Sequence, residues 1–462
     1  MKNILLFSVI TFLYLLTYHN SIASYDLQKT YTGWKAGVSS TVITPDEPIW
    51  MAGYAARNRP SEGTLHDLWA KALALEDDNG KLAVLVTTDL IGFRGNYMPD
   101  RIRARLKEKY DLSESQVILS SSHTHTGPEL MKAPEEYLGL DESVEQHSPH
   151  QRKRIRRYSE KLETQIVTLV GKALDSLEPA QIYSGNGVAR FAVNRRNNTE
   201  SALKPSSQLA GPVDHSVPVL KVEKKSGELL ALVFGYACHT TTLSFYKFSG
   251  DYAGFAQIEL ENSFPGTTAM FFAGCGADQN PLPRRTVGLA QQYGKTLAAA
   301  VEAIISEPMN ELSPRLSTAY SKIDLEFANP PPTKKELLKI LKEDSGYPDY
   351  LKTRANVLLA QLEKGISLMT SYPYPVQFWK IGEQDIAILA SEVVVDYSVR
   401  LKQIFGEDLF VMAYANEGMG YIPSTRVLSE GGYEGSRSPI FTTPWASDIE
   451  AKIIMEVIRL AK

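Results

Sequence analysis

Short continuous apolar and β-branched runs alternate along the chain with segments whose apolar residues recur at three- and four-residue steps. The first kind predicts buried strands and the second predicts helices with one buried face. Strands are expected at 82–88, 116–120, 230–238, 268–273, 385–390 and 408–415. Helices fill the gaps at 99–109, 152–170, 253–262, 287–306, 393–405 and 447–460. In the second of these, Ile155, Tyr158, Leu162, Ile166 and Leu169 supply the buried stripe. Such alternation predicts an α/β fold, with a mixed, largely parallel sheet covered by helices on both faces. One stretch breaks the rhythm. After Pro330, Pro331 and Pro332, Thr333 and Glu336 form a capping box ahead of a Lys- and Leu-rich helix. Residues 333–371 therefore read as an inserted helical hairpin, either a lid or a surface pair with no part in the site. No repeat, low-complexity tract or linker divides the chain.

The N-terminus changes the picture of where the protein works. Lys2 precedes an apolar run over 4–18, followed by His19, Asn20 and the small-residue stretch Ser21-Ile22-Ala23. This is the pattern of a cleavable signal peptide, and the run is short for a bilayer span. The expectation is a signal peptide over 1–23 and one hydrolase domain over 24–462, secreted or periplasmic, with no stable membrane span. Hydrophobic residues at 43% and charged residues at 22% exclude disorder, collagen-like repeats and coiled coil. With 49 basic against 53 acidic residues and no long basic block, a nucleic-acid partner is not expected. The basic cluster from Arg152 to Arg157 reads as a solvated helix face. A small molecule or a lipid is the expected partner, and the sequence is silent on oligomeric state. Two cysteines, Cys238 and Cys275, make neither a disulfide framework nor a four-cysteine zinc site. They read as one disulfide or as two buried thiols.

The chemistry concentrates just past the strand ends. Ser122-His123-Thr124-His125-Thr126-Gly127-Pro128 follows the 116–120 strand. In an extended segment the two imidazoles face the same way, and imidazole is the commonest neutral metal ligand. The alternative is a hydrogen-bonded pair that shapes a loop. His239 follows the 230–238 strand, Glu392 follows 385–390, and Asn416 to Tyr421 follow 408–415. In open α/β sheets the carboxyl ends of strands form the ligand crevice. Taken singly, Glu392 would cap a helix and Tyr421 would sit in the core. Their convergence suits a zinc site that leaves a position for water.

These pieces, in this order, resemble the neutral/alkaline (non-lysosomal) ceramidase family, zinc-dependent amidases that hydrolyse the amide of ceramide. The resemblance runs from Gly37-Val38 and Met51-Ala52-Gly53-Tyr54 through Asp89, Ser122–Pro128, Asn194-Arg195, Asp214 and Ala237-Cys238-His239. It continues through Asp251-Tyr252-Ala253-Gly254 and Ser391-Glu392 to Asn416, Tyr421-Ile422 and Tyr433-Glu434-Gly435. It implies one zinc ion per chain held by His123, His239, Glu392 and Tyr421. It makes His125 the acid/base partner, Arg195 a donor to the substrate carbonyl or oxyanion, and Tyr433 a second such donor.

The departures are as informative. The family carries a serine in a Gly-Asp-x-Ser-Pro-Asn segment, where this chain reads Gly274-Cys275-Gly276-Ala277-Asp278-Gln279-Asn280-Pro281. Gln279 falls about where the serine stands, and Gln279 and Asn280 read as substrate-binding amides suited to hydroxyl groups. One helix follows Gly435, which leaves no room for the family's appended β-sandwich, and 310–375 has no clear counterpart. The expected activity is amide hydrolysis of ceramide or a related N-acyl compound by metal-activated water. The alternatives are a zinc deacylase or esterase acting on acylated sugars or other exported metabolites, and a non-catalytic zinc-binding homologue.

Overall fold

The computed structural model describes residues 32–131, 147–204, 206–342, 349–436 and 444–462. The expected signal peptide therefore lies outside the described residues. Among those residues, no helix is long and apolar enough to cross a membrane.

Twelve strands build the main sheet. They are β1 (Trp34–Val42), β2 (Trp69–Glu76), β3 (Leu82–Thr88), β4 (Val117–Ser121), β5 (Glu178–Val188), β6 (Ser216–Lys224), β7 (Leu229–Tyr236), β8 (Thr268–Ala273), β9 (Leu316–Glu326), β10 (Ser371–Ile381), β11 (Gln384–Ala390) and β12 (Phe410–Ala415). Their spatial order is β8-β7-β6-β5-β1-β2-β3-β4-β12-β11-β10-β9, with the short strand Asn310–Glu311 added beside β5. The sheet is mixed, and the expected parallel majority is not found. Within this sheet, among the described residues, only β7/β8, β3/β4 and β11/β12 pair in parallel. The remaining neighbours on the path are antiparallel, including the long ladders β5/β6 and β9/β10.

Alternation of side chains along each strand separates two faces. Ala72, Val84, Leu119, Phe234, Phe271, Leu389 and Ala413 point outward beneath helices. The helices over one half of the sheet are α1 (Tyr97–Tyr110) and α2 (Pro149–Asp175); over the other half lie α3 (Asp251–Ser263) and α4 (Val287–Ile305). The opposite face collects Leu73, Leu85, Ile118, Val233, Phe272, Trp379, Ile388 and Met412 into one core to which no described helix contributes. That core joins strands from both ends of the sheet, so the sheet curls and packs on itself, strand against strand. Helices consequently cover the outward surface alone, where the sequence pattern had placed them on both faces.

In the 333–371 segment, α5 (Lys334–Ile340) and α6 (Asp349–Glu363) pack on each other through Leu337, Ala355 and Leu358. Thr333 and Glu336 make the capping box, with the Glu336 carboxylate accepting from the Thr333 amide at 2.7 Å. Both helices lie between β9 and β10, which nonetheless pair with each other from Leu316↔Ile381 to Glu326↔Ser371. The segment is thus an insertion at the end of a β-hairpin. Helix α7 (Asp396–Phe405), the short α8 (Thr425–Glu430) and α9 (Gly432–Ser436), and α10 (Ile449–Leu460) complete the chain.

Cys238 and Cys275 are both buried and both free. Burial pushes each thiol above its ordinary range, so neither is a reactive thiolate at neutral pH. Neither cysteine is therefore expected to react with iodoacetamide in the native protein, and both are expected to react after unfolding without prior reduction. Intact-mass spectrometry reads the outcome, and a mass gain that requires a reductant would show a disulfide instead.

Candidate active site

Four segments deliver the polar groups, each just past the carboxyl end of a strand. His123 follows β4, His239 follows β7, Glu392 follows β11 and Tyr421 lies beyond β12. Strands β4 and β12 meet at Ser120↔Ala415, near both carboxyl ends, so the sheet parts where the side chains gather. Glu392 and Val393 then pair in parallel with Tyr421 and Ile422, a two-residue ladder that fixes the carboxylate beside the phenol's segment. His239 is set by its own amide, which donates to Gln279 O at 3.1 Å, and Gln279 pairs with Asn194 next to Arg195. A chain of backbone contacts thereby ties His239 to Arg195.

The ligand atoms of His123, His125 and His239 all lie within 4.8 Å of one another. Glu392 Oε2 stands 3.5 Å from His123 Nε2 and 3.5 Å from His239 Nε2. The far nitrogens decide the tautomers. His123 Nδ1 lies 2.6 Å from Ile91 O, and His239 Nδ1 lies 2.7 Å from Gly276 O. A carbonyl oxygen only accepts, so both Nδ1 atoms carry the hydrogen and both Nε2 atoms offer lone pairs to the common centre. His239 Nε2 is buried and has no hydrogen-bond partner. Imidazole lone pairs facing one carboxylate fit a divalent cation.

Electrostatics agree with that geometry. Burial, aided by Arg195, pushes His239 down to about 4. Burial and the neighbouring His123 and His239 push His125 well below the usual imidazole range. Both rings are therefore neutral at neutral pH.

Backbone strain marks the same place. His123, Ser391, Tyr414 and Asn416 all adopt left-handed φ values, at 58°, 66°, 52° and 67°. Such conformations cost free energy in residues other than glycine and persist where surrounding structure imposes them. Here Arg103 Nη2 donates to Asn416 Oδ1 at 2.6 Å, and Asn416 Nδ2 donates to Gln377 Oε1 at 2.9 Å. This buried network holds the end of β12 in place.

Arg195 forms the second half of the site. Its Nη2 donates to the Tyr421 hydroxyl at 3.2 Å, its Nε to Glu434 Oε1 at 2.8 Å, and its Nη1 approaches Asn280 Oδ1 at 3.4 Å. Tyr433 closes on this group, its ring 5.2 Å from that of Tyr421 and the guanidinium 5.8 Å from its centre. A cavity of about 460 Å³ begins here, with Arg195, Asn280, Tyr433 and Glu434 in its wall.

The structure thus gathers His123, His125, His239, Glu392, Tyr421, Arg195, Tyr433 and Asn280. Gln279 stands apart. Its side chain is fully buried, its amide donates to Pro212 O at 3.3 Å, and it is absent from the cavity wall. The placement of its side chain departs from the substrate-binding expectation, because the short strand turns Gln279 inward and Asn280 outward. Two further residues escaped the sequence reading. The Tyr414 ring packs 4.2 Å from His123, with its hydroxyl buried and unpartnered, yet in FVMAYA it reads as an ordinary apolar strand residue. Glu434 follows Tyr433, and its shared hold on Arg195 and Arg196 shows only in three dimensions.

Gly53 has φ +100°, and a Cβ there would come within 2.6 Å of the His125 ring. Gly53→Ala is therefore expected to displace His125 and lower kcat about tenfold or more while metal content stays unchanged. Steady-state kinetics with elemental analysis test this, and an unchanged kcat would show that His125 tolerates displacement.

The sequence profile of the family described as neutral/alkaline non-lysosomal ceramidase, N-terminal, matches residues 34–322. That span contains His123, His125, Arg195 and His239, whereas Glu392 and Tyr421 lie beyond it. The neutral ceramidase of Pseudomonas aeruginosa is 23% identical over 501 residues, covering 92% of this chain and 71% of that protein. Neutral ceramidase B of Dictyostelium discoideum is 25% identical over 239 residues, covering 47% of this chain and 30% of that protein. Among solved structures, a ceramidase complexed with C2 superposes with a TM-score of 0.70 at 18% identity, over 93% of this chain and 75% of that one. The crystal structure of the Pseudomonas aeruginosa neutral ceramidase gives a TM-score of 0.70 at 19% identity, over 93% and 74%.

Proposed function

The chain belongs to the neutral/alkaline non-lysosomal ceramidase family, and on that premise we propose that it is an amide-bond hydrolase that cleaves ceramide or a related N-acyl compound. The observation that carries the reading is the convergence of three imidazoles and the Glu392 carboxylate beside a fixed guanidinium. Such a set needs a cation to satisfy it and a polarised carbonyl to use it. We assign the cation as zinc, held by His123, His239, Glu392 and Tyr421, the ligand types zinc favours. When bound, zinc acidifies water and draws electron density from a carbonyl.

The chain's own groups supply the rest. His125, neutral because burial and its histidine neighbours suppress protonation, takes a proton from the attacking water. It then delivers that proton to the departing amine nitrogen, so that acid and amine leave as the two products. Arg195 donates to the carbonyl oxygen and to the negative charge that gathers there as the bond to water forms. Its position costs nothing at that moment, because Glu434 and Tyr421 already hold it. Tyr433 stands at the cavity mouth, 52% exposed, where it meets substrate on entry. The signal-peptide pattern of residues 1–23 supports export.

A second reading, a deacylase or esterase acting on acylated sugars or other exported metabolites, draws support from the arginine, glutamate and asparagine side chains along the cavity. Purified protein incubated separately with an N-acyl sphingosine and with an acylated sugar ester distinguishes the two. Release of sphingosine and fatty acid is the expected result. Turnover of the ester alone would replace the reading with the second, and turnover of neither would overturn both.

A further inference from the structure

Strand β12 breaks its alternation near its end, and the break turns a tyrosine toward the site. Ile388 pairs with Met412 and Ala390 with Ala415, so three steps along β12 match two along β11. The extra residue makes a bulge, a device that re-aims side chains next to active sites. Phe410, Met412 and Ala415 face the inner core, whereas Val411, Ala413 and Tyr414 all face outward. Regular alternation from Met412 would have put Tyr414 in the inner core. Its φ of 52° and the bond from its amide to Ser391 O, at 3.0 Å, fix the re-aimed position beside Glu392.

The side chain ends among the groups assigned to the cation. Its ring lies 4.2 Å from that of His123, tilted by 34°, and 6.1 Å from that of His239, edge on. The residue is 4% exposed, and its hydroxyl has no hydrogen-bond partner among the described residues. After burial itself, the groups that act most strongly on this hydroxyl are Glu392, Tyr421 and Arg195. A phenol is protonated at neutral pH and brings one donor. Leaving that donor unpaired in a buried place costs free energy. A phenylalanine would fill the same space without that cost, so packing alone does not explain the hydroxyl. The acceptors nearby are committed, since His123 Nε2, His239 Nε2 and the Glu392 carboxylate face one centre.

We propose that the Tyr414 hydroxyl donates to the acyl oxygen of the substrate, first the carbonyl as it gains negative charge and then the carboxylate of the acid product. Tyr414 is then a catalytic residue, a donor additional to Arg195 that reaches the oxygen from another strand. The inference rests on the hydrolase reading, because that reading brings an acyl carbonyl to the centre. It holds for an amide or an ester alike, since both release the same carboxylate. A neutral phenol fixed in place stabilises charge as it forms and adds none of its own.

Tyr414→Phe removes the hydroxyl and keeps the ring against His123. In the zinc-loaded protein it is expected to lower kcat for a fluorescent N-acyl amine about tenfold or more, with KM little changed. It is also expected to weaken the binding of octanoate, an acid product, about tenfold in calorimetry. Zinc content is expected to stay the same, and the metal-free variant to unfold at the same temperature as the unaltered protein or higher. That last readout separates the donor from a structural hydroxyl, whose removal would lower the unfolding temperature. An unchanged kcat or an unchanged octanoate affinity would overturn the proposal, as would a variant that loses zinc or, metal-free, unfolds earlier. If the unaltered protein cleaves no N-acyl amine, the amidase reading fails by itself. Octanoate binding weakened by Tyr414→Phe would still uphold the donor, and no octanoate binding to the unaltered protein would remove it.

Discussion

Replacing His239 with alanine is expected to strip the protein of its divalent cation and bring amide hydrolysis to background. The imidazole is fully enclosed, with Nδ1–H committed to Gly276 O and Nε2 without any partner but the shared centre. The His239 amide is pinned to Gln279 O in the short ladder beside Arg195, so the backbone that carries the ring is fixed. A second readout keeps the prediction independent of turnover. A cation that binds only the folded chain adds about 2.7 kcal/mol of stability at a hundredfold excess over its Kd. Thermal unfolding with and without zinc is therefore expected to shift for the unaltered protein and to stay fixed for His239→Ala. A variant that keeps stoichiometric metal and turnover would place the reaction elsewhere.

Replacing Arg195 with methionine is expected to cost about 10²–10³ in kcat, the usual price of losing one donor to a developing oxyanion. Metal content is expected to persist, since Tyr421 is the one proposed ligand that Arg195 hydrogen-bonds, while His123, His239 and Glu392 keep their own supports. Nor should the fold suffer much. Glu434 keeps Arg196 at 2.6 Å, so the buried carboxylate is not left without a cation. Kinetics and elemental analysis on the same preparation check both halves. Loss of metal together with activity would mean that Arg195 builds the cation site and plays no separate part in the chemistry.

The strands that helices follow were legible, and those joined by hairpins were not. Strands β3 and β8 match their expected ranges, and β4, β7, β11 and β12 match to within two residues. Their apolar runs are continuous because they are buried on both faces. Strand β2, WAKALALE, is written in helix formers, and only its neighbours on either side make it a strand. Strand β10 contains Pro373 and Pro375, residues that argue against a strand when read alone. Strand β5 contains Gly185 and Gly187, which look like turn signals. In fact a Cβ at Gly187 would lie 2.9 Å from Ala300 O of α4, so a small residue is needed for the helix to pack there. With these strands unseen, every visible strand was linked through a helix, and the sheet read as largely parallel. The inner core of strand on strand was invisible for the same reason.

The candidate site was legible in stages: His123 and His239 stood out at their strand ends, Glu392 and Tyr421 only through convergence with them, and Arg195 only through the family resemblance. Tyr414 could not be picked out, since nothing in FVMAYA distinguishes a tyrosine that packs on a ligand from one that fills a core. Gln279 misled for a complementary reason. An amide beside a glycine-rich strand end resembles a substrate contact, whereas its backbone, through the bond from the His239 amide, is what the site uses.

The central claim is that a divalent cation at His123, His239 and Glu392 drives amide hydrolysis. The most direct test is acyl release from a fluorescent N-acyl amine by protein dialysed against chelator and then titrated with zinc. Activity lost on dialysis and restored at one equivalent of zinc per chain is the predicted result. Full turnover by metal-free protein would contradict it.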